Sequence, residues 1–155
     1  MSLGGGGGGE LQELAQQLEA IDEQVQALQG EIEGLQAEQR EIDEAIEALG
    51  QLESGSTVQV PLGGGAYVRA EIADIDEVVV DLGGDYAAER DRDGAVDSLE
   101  TKQETLDDRI DEVREDIAEL ESESERLEER AQQAQAQQMQ QMQQMQQQQP
   151  ESDDE

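Results

Sequence analysis

Apolar residues recur along the first third of the chain at alternating intervals of three and four positions. The series begins at Leu11 and runs to Leu49, and eleven of its twelve sites are apolar, with Gln39 as the exception. Glu and Gln occupy almost every position between these sites. A seven-residue repeat with apolar first and fourth positions is typical of a coiled coil. The pattern therefore predicts a coiled-coil helix over residues 10–53.

A second series of the same kind begins at Val96 and has polar interruptions such as Gln103. It predicts a second coiled-coil helix over residues 95–138, with Asp93 or Gly94 as its N-cap. Each helix then has about 44 residues and is about 66 Å long at 1.5 Å per residue. Equal lengths and one central connection predict that the two helices pair antiparallel.

The connection between the helices, residues 54–94, does not follow the heptad pattern. In its first half, apolar and polar residues alternate on either side of GGG, and in its second half EVVVDL leads through GGD into YAAER. A period of two, interrupted by glycine-rich turns, is typical of β-hairpins. The sequence therefore predicts two hairpins, with strands at Val58–Leu62, Ala66–Ile72, Glu77–Leu82 and Tyr86–Arg90.

Two hairpins of this size bury too little apolar surface to fold alone, and their outer edges would be open to other chains. We expect them to join the hairpins of other subunits in a shared sheet or barrel; the alternative is a small four-stranded cap within one chain. The predicted fold is α+β, a long antiparallel coiled-coil hairpin with two central β-hairpins that join an intersubunit β-barrel platform. The strand residues assigned to oligomerisation are Val58, Val60, Leu62, Val68, Ala70, Ile72, Val78, Val80, Leu82 and Tyr86.

The segments outside the helices have low complexity. Residues 1–9 form a glycine-rich leader, and residues 139–155 combine a run rich in Gln and Met with an acidic end. We expect the leader to be flexible and the tail to be largely disordered, although Gln and Met favour helix in the early part of the tail.

Antiparallel pairing would put Leu11 opposite about residue 137, so that the tail methionines lie at or beyond the end of the paired helices. Methionine side chains are flexible and polarizable and adapt to many apolar partners. One interpretation is an adaptable apolar contact site at the helix tips, formed by Leu11, Leu14, Met139, Met142 and Met145. The other is a polyglutamine tail whose methionines have no role.

Composition excludes several kinds of site. The chain has no Cys, His, Phe or Trp. Disulfides, the usual zinc sites, haem ligation by His and nucleophile systems based on Cys or His therefore lack their side chains. We expect no enzyme activity, no cofactor and no metal centre.

The chain carries 9 basic and 41 acidic residues, a net charge of −32. Such a chain is repelled by nucleic acid and by anionic membranes, so that neither is an expected partner. At molar salt the Debye length falls to about 3 Å, which screens the repulsion within the fold. The sequence has no apolar run of transmembrane length and no signal-peptide pattern. These features predict a cytoplasmic protein of a salt-loving cell.

One acidic stretch is similar to a calcium loop. ERDRDGAVDSLE, residues 89–100, places Asp91, Asp93 and Glu100 at ligand positions of an EF-hand loop. Its first position is Glu89 rather than Asp, arginines interrupt it, and a strand precedes it where an EF-hand requires a helix. Weak calcium binding through residues 89–100 is kept as an alternative.

The two heptad helices, joined by VPLGGGAYVRAEI and VVVDLGGDYAAER, resemble the archaeal prefoldin alpha family over about residues 10–134. The resemblance implies a hexamer of two alpha and four beta subunits, in which the hairpins contribute to a double β-barrel platform. It also implies an ATP-independent holdase that captures unfolded proteins at the helix tips and transfers them to a group II chaperonin. The client-binding positions that it implies are Leu11, Leu14, Leu18, Ala131, Ala134, Met139, Met142 and Met145.

The chain departs from the family pattern at Asp85, which stands at a turn position where the family often has Gly. A structural coiled-coil scaffold without client binding is the alternative function. The hairpins favour the chaperone interpretation, because a spacer requires no β platform.

Overall fold

The computed structural model describes residues 6–147, with side chains from residue 8 onward. In this part the chain forms two long helices with four short strands between them. Helix α1 covers Gly6–Gln51 and helix α2 covers Arg92–Gln147. The strands are β1 (Thr57–Gly63), β2 (Ala66–Glu71), β3 (Val78–Gly83) and β4 (Tyr86–Arg90). This order confirms the predicted α+β class.

The chain divides into two compact units, which are described separately. Unit 1 contains Met1–Glu31 and Val113–Glu155, and unit 2 contains Ile32–Glu112. In α1 the boundary falls between Gly30 and Gly34, and a Cβ atom added at either glycine would have no neighbour within 4 Å. Each glycine weakens the helix by about 1 kcal/mol relative to Ala without any packing reason for its presence.

Unit 1 is held together by an apolar seam between its parts of α1 and α2. The residues of this seam stand at heptad positions, so that the spacing of three and four places them on one face of each helix. Its buried centre consists of Leu14, Ile21 and Leu127. Packed against that centre are Leu18, Val25, Leu120 and Ala131.

In unit 2, side-chain hydrogen bonds join α1 to α2. Nε2 of Gln39 donates to Oδ1 of Asp107 at 2.6 Å, and Nε2 of Gln103 donates to Oδ1 of Asp43. The residue numbers of the partners rise along α1 as they fall along α2. The two helices of this unit therefore run antiparallel, as the sequence predicts.

The two hairpins are antiparallel, and each has a register that groups apolar residues. In the first, Val58 lies opposite Ala70 and Val60 lies opposite Val68. In the second, Val80 lies opposite Ala88. Directly opposed residues of an antiparallel pair share one face of the sheet. Each hairpin therefore has an apolar face, which follows from the period of two in the sequence.

Both hairpins turn with the same backbone geometry. The central turn residues have φ values of 61° and 81° at Gly64 and Gly65, and of 59° and 64° at Gly84 and Asp85. Positive φ at both central positions defines a type I′ turn, whose twist matches that of the flanking strands. Among the described residues, Asp85 is the non-glycine residue in this left-handed region.

Arg92, at the start of α2, is bonded to the end of α1. Its Nη2 donates to the carbonyl oxygen of Leu52 at 2.5 Å, and its backbone N–H donates to Oδ1 of Asp76 at 3.5 Å. The last carbonyls of a helix lack intrahelical partners and carry partial negative charge, so that a guanidinium there is favourable. This contact holds the start of α2 to the end of α1, where the chain enters and leaves the two hairpins.

The N-cap of α2 is Asp91, and not Asp93 or Gly94 as the sequence predicted. Oδ1 of Asp91 accepts the backbone N–H of Gly94 at 2.7 Å. Its carbonyl oxygen accepts the N–H of Ala95 at 2.9 Å, which is the first bond of the helix. An aspartate that satisfies the third helical N–H begins the helix at Arg92, three residues before the predicted start.

Both helices extend further toward the chain termini than predicted. Helix α1 begins at Gly6, within the leader expected to be flexible, and α2 continues to Gln147, nine residues into the tail expected to be largely disordered. Gln and Met are good helix formers, which accounts for the extension of α2, since each added residue forms one further hydrogen bond. Glycine is a poor helix former, and nothing in the structure explains the helical start of α1 within the glycine run. The remaining parts of these two segments, residues 1–5 and 148–155, lie outside the described residues.

Candidate functional site

The β-hairpins carry most of the large exposed apolar side chains in the described part of the chain. Leu62 and Val79 are each 69% exposed, and Tyr86 is 75% exposed. Large apolar side chains that stay exposed on neighbouring strands mark surfaces that another molecule covers. We call this set the hairpin surface; it consists of Val60, Leu62, Tyr67, Val68, Val79, Leu82 and Tyr86.

The strand edges of the hairpins are open as well. Each hairpin is a separate sheet of two strands, and within residues 6–147 no ladder joins β2 to β3. The four-stranded cap considered as an alternative is therefore not formed. The outer edges present backbone N–H and C=O groups that can pair with a strand of another chain.

The ten strand residues assigned to oligomerisation differ in exposure. Val80 is only 5% exposed and is held within unit 2, so it supports the hairpin instead of offering a contact. Val58, Ala70, Ile72 and Val78 are half-buried. The members that are open to a partner are Val60, Leu62, Val68, Leu82 and Tyr86.

Two members of the hairpin surface were not assigned from the sequence. Tyr67 lies opposite Pro61, and Val79 lies opposite Glu89, on the faces that the alternating pattern designates as polar. The signal for Val79 was present, because the continuous run VVV is typical of a strand covered on both faces. For Tyr67 the signal was that it is one of only two aromatic residues in the chain.

At the terminal ends of the helices, most of the expected contact residues are used in the seam of unit 1. Leu14 and Ala134 are 4% and 8% exposed. Leu18 and Ala131 pack against the same seam, and Leu11 is half-buried. Leu14, Leu18 and Ala131 hold α1 to α2 in this unit, so little of their apolar surface is open to another molecule.

The three methionines of α2 have the opposite environment. Met139, Met142 and Met145 are 61%, 63% and 73% exposed. Residues three apart on a helix are neighbours on its surface. The methionines therefore form a short exposed apolar stripe along the last turns of α2, which we call the methionine stripe.

A groove of about 760 Å³ lies in unit 2 between α1 and α2, with Leu82 of β3 at its edge. Its lining includes Ile42, Leu99 and the single lysine, Lys102. Among the described residues no polar or charged side chain is buried, so nothing in the groove combines a desolvated acid or base with a nucleophile. The groove is therefore best described as a partly open stretch of the seam between α1 and α2.

The calcium-like stretch does not form a loop. Asp91 caps α2, and the stretch from Arg92 to Glu100 is helical, so the ligand positions of an EF-hand are not brought around one point. Within residues 6–147 there is no group of three or more acidic side chains arranged to hold a metal ion. The same residues include no helix that is both long enough and apolar enough to cross a membrane.

Two long helices connected along the chain by a pair of β-hairpins with open edges define a coiled-coil subunit of the α+β class. The family model described as prefoldin subunit matches residues 21–138. Prefoldin subunit alpha of Haloarcula marismortui is 62% identical over 116 residues, or 75% of each chain. That of Pyrococcus horikoshii is 31% identical over 128 residues, or 80% of this chain and 86% of the relative. The chain therefore belongs to the prefoldin family, which is a family of chaperone subunits.

A further relative and two solved structures agree with this assignment. Prefoldin subunit alpha of Halobacterium salinarum strain R1 is 64% identical over 113 residues, or 73% of each chain. The cryo-EM structure of filamentous PFD from Methanocaldococcus jannaschii has a TM-score of 0.64 at 28% identity, over 73% of this chain and 96% of that one. The prefoldin beta subunit of Thermococcus strain KS-1 shares the fold, with a TM-score of 0.52 at 21% identity, over 80% and 90% of the chains. The resemblance stated from the sequence is confirmed, and the most similar of these relatives come from halophilic archaea.

Proposed function

We propose that this chain is the alpha subunit of an ATP-independent holdase, which captures unfolded proteins at the helix ends and transfers them to a group II chaperonin. The observation that carries the proposal is the hairpin surface, exposed on strands with open edges in a chain of the prefoldin family. A spacer between two helices would not require such a surface. The proposed location is the cytoplasm of a salt-loving cell.

The geometry of the hairpins supports assembly with other chains. Each two-stranded sheet is marginal alone; a strand from another chain would pair its edge, and a sheet packed against it would cover its exposed face. The proposed partners are prefoldin beta subunits, in a hexamer of two alpha and four beta chains. The hairpin surface is the part of the chain that would enter the shared platform.

Client capture is assigned to the methionine stripe of α2. The stripe offers thioether and methyl groups that adapt to different apolar side chains, and it needs no nucleotide to do so. Contacts by one stripe are weak. When several such ends hold one unfolded chain, the combined binding is stronger, because each contact after the first is intramolecular.

Assembly is tested by mass measurement after co-expression with a prefoldin beta subunit in molar KCl. We expect a particle of six chains. Leu62→Glu and Val79→Glu introduce charges at sites that are exposed in the free chain, so they should prevent assembly without unfolding α1 and α2. Gln59→Glu, on the polar face of β1, is the matched control. A wild-type monomer or plain dimer would contradict the proposed platform.

Client binding is tested by light scattering when guanidinium-denatured citrate synthase is diluted into molar KCl with the assembled complex. We expect suppression of aggregation that weakens when all three methionines of the stripe are replaced by Gln. The control replaces Gln140, Gln143 and Gln146 by Ser and leaves the stripe intact. If an intact hexamer gives no suppression, the chain is a structural scaffold and the chaperone proposal is wrong.

A further inference from the structure

We propose that the methionine stripe is a site of reversible oxidation by peroxides, and that its oxidation switches off client capture at this end of the chain. The inference rests on the proposed function, because it concerns the surface to which capture is assigned. It adds a modification site, a class of oxidant and a form of regulation to that surface.

The three thioethers are accessible. Met139, Met142 and Met145 are each more than half exposed, with values of 61%, 63% and 73%. An oxidant in solution can therefore reach them without any opening of the seam. The fourth methionine of the chain, Met1, lies outside the described residues.

The three methionines of the stripe are also the only apolar residues in their segment of the sequence. From Gln137 to Gln147 every residue other than the three methionines is Gln. The nearest apolar residue at a seam position, Ala134, is 8% exposed and cannot substitute for the stripe. Oxidation of the thioethers would therefore convert the entire segment from partly apolar to uniformly polar.

The chain contains no other side chain that takes up peroxide readily. It has no cysteine, and none of its residues can form a sulfenic acid or a disulfide. Oxidation by peroxide is thus directed to the methionines, and most of them belong to one surface.

The reaction is a two-electron oxygen transfer. A lone pair of Sδ attacks one oxygen of the peroxide, the O–O bond breaks and an S–O bond forms. The sulfur is oxidised to the sulfoxide, and the departing hydroxide takes the proton of the transferred oxygen and leaves as water. Methionine sulfoxide reductases reverse the change at the expense of a dithiol.

The fold should tolerate this change. The side chains of the stripe lie on the surface, so an added oxygen requires no cavity and displaces no seam residue. The consequence is loss of the apolar surface with α2 and the assembly preserved. This separates a switch from oxidative damage to a core, where a polar sulfoxide would unfold the protein.

The test uses the full chain assembled with its beta partner in molar KCl, treated with hydrogen peroxide and then freed of it. Mass spectrometry counts the added oxygens on each peptide. We expect the concentration needed to suppress aggregation of denatured citrate synthase to rise by about threefold or more, since three apolar contacts per chain are lost. Methionine sulfoxide reductases with dithiothreitol should restore the original value.

Two triple variants make the test specific. Met139→Leu with Met142→Leu and Met145→Leu keeps an apolar stripe that peroxide cannot oxidise, so its activity should survive treatment when it is assembled with a partner subunit that has been treated and assayed in the same way. The corresponding Gln variant should match the oxidised wild type before and after treatment. Circular dichroism and particle mass should remain unchanged in all samples.

The inference is overturned if the fully oxidised wild type retains its activity, or if the Leu variant loses activity as the wild type does. Failure of the proposed function gives a different result. Untreated wild-type complex would then suppress no aggregation, and the inference would fail with it. If untreated complex is active but the Gln variant is equally active, the chaperone function stands and the stripe has no part in it.

Discussion

Gln39 and Gln103, polar interruptions of the two heptad series, meet each other across unit 2. Nε2 of Gln103 donates to the backbone carbonyl oxygen of Gln39 at 3.4 Å. The same amide bonds Asp43, and the Gln39 amide bonds Asp107 at 2.6 Å. Two apparent defects in the repeat thus form one polar layer between the helices. A polar layer in a coiled-coil seam favours the one alignment in which its members are paired.

Replacing both glutamines by Leu should raise stability and relax this alignment. We expect the free energy of unfolding of the Gln39→Leu, Gln103→Leu variant to rise by about 1–2 kcal/mol, because apolar side chains replace polar ones in the seam. Denaturant titration measures the gain, and additional amide signals in NMR spectra would report a second alignment. The exposed Gln17→Leu is the control and should change stability by less than about 0.5 kcal/mol. A loss of stability in the double variant would contradict the prediction.

Arg92→Ala should destabilise the base of the hairpins. It removes the guanidinium that donates to the Leu52 carbonyl at 2.5 Å and leaves the end of α1 without that charge. We expect a loss of about 1.5–3 kcal/mol, the usual range for hydrogen bonds to charged groups. Arg92→Lys should restore part of it, because the charge remains at the helix end. Arg69→Ala, on an exposed strand position, should have little effect in the same urea titration.

Glycine-to-alanine substitutions in the helices should raise stability at two sites and lower it at a third. Gly30→Ala and Gly34→Ala enter open space and should each stabilise by about 0.5–1 kcal/mol through helix propensity. At Gly94 the added Cβ would lie 2.7 Å from Oδ1 of Asp91, so the cap must shift or break. Gly94→Ala should therefore lower the midpoint of thermal unfolding in spite of the better propensity. Equal gains at all three sites would show that the Asp91 cap is not the constraint.

Substitutions of Asp85 should change the stability of the second hairpin, because this position has a left-handed backbone conformation. At a φ of 64°, a β-branched side chain is strained, so Asp85→Val should cost about 1–2 kcal/mol. Asp85→Gly should be neutral or stabilising, since glycine adopts this region freely. Ala87→Val, at an exposed extended position of β4, is the matched control. Hydrogen exchange of the β3 and β4 amides measures the effect directly, and similar protection in all three variants would argue against strain at the turn.

Folding should depend strongly on salt. The net charge of −32 acts within a small fold, and in dilute buffer its repulsion extends over tens of ångströms. We expect the thermal midpoint to rise steeply from dilute buffer to molar KCl as the repulsion is screened. Sucrose, which favours compact states by exclusion but does not screen charge, is the comparison solute. Equal stabilisation by sucrose and KCl would contradict the electrostatic explanation.

Local features of the fold could be predicted because their signals lie within a few residues. The heptad spacing of Leu14 and Ile21 predicts a seam position whatever the partner is, and the two hairpins follow from alternating residues on either side of glycine-rich turns. The positions of the helix ends were predicted less accurately. Asp91 and Asp93 both satisfy the preference for an N-cap, and only the path of β4 into α2 decides which of them accepts the Gly94 N–H.

The sequence by itself determined the α+β class, the two coiled-coil helices, the hairpins and the acidic surface, because hydrophobic period and turn chemistry act between near neighbours in the chain. The tertiary structure alone decided which distant residues meet. It paired Gln39 with Gln103 and Arg92 with Leu52, formed no ladder between β2 and β3, buried Leu14 and exposed Met142. Leu14 and Met142 are both apolar residues of a helix, so their exposure depends on what lies opposite them, which is a property of the folded chain.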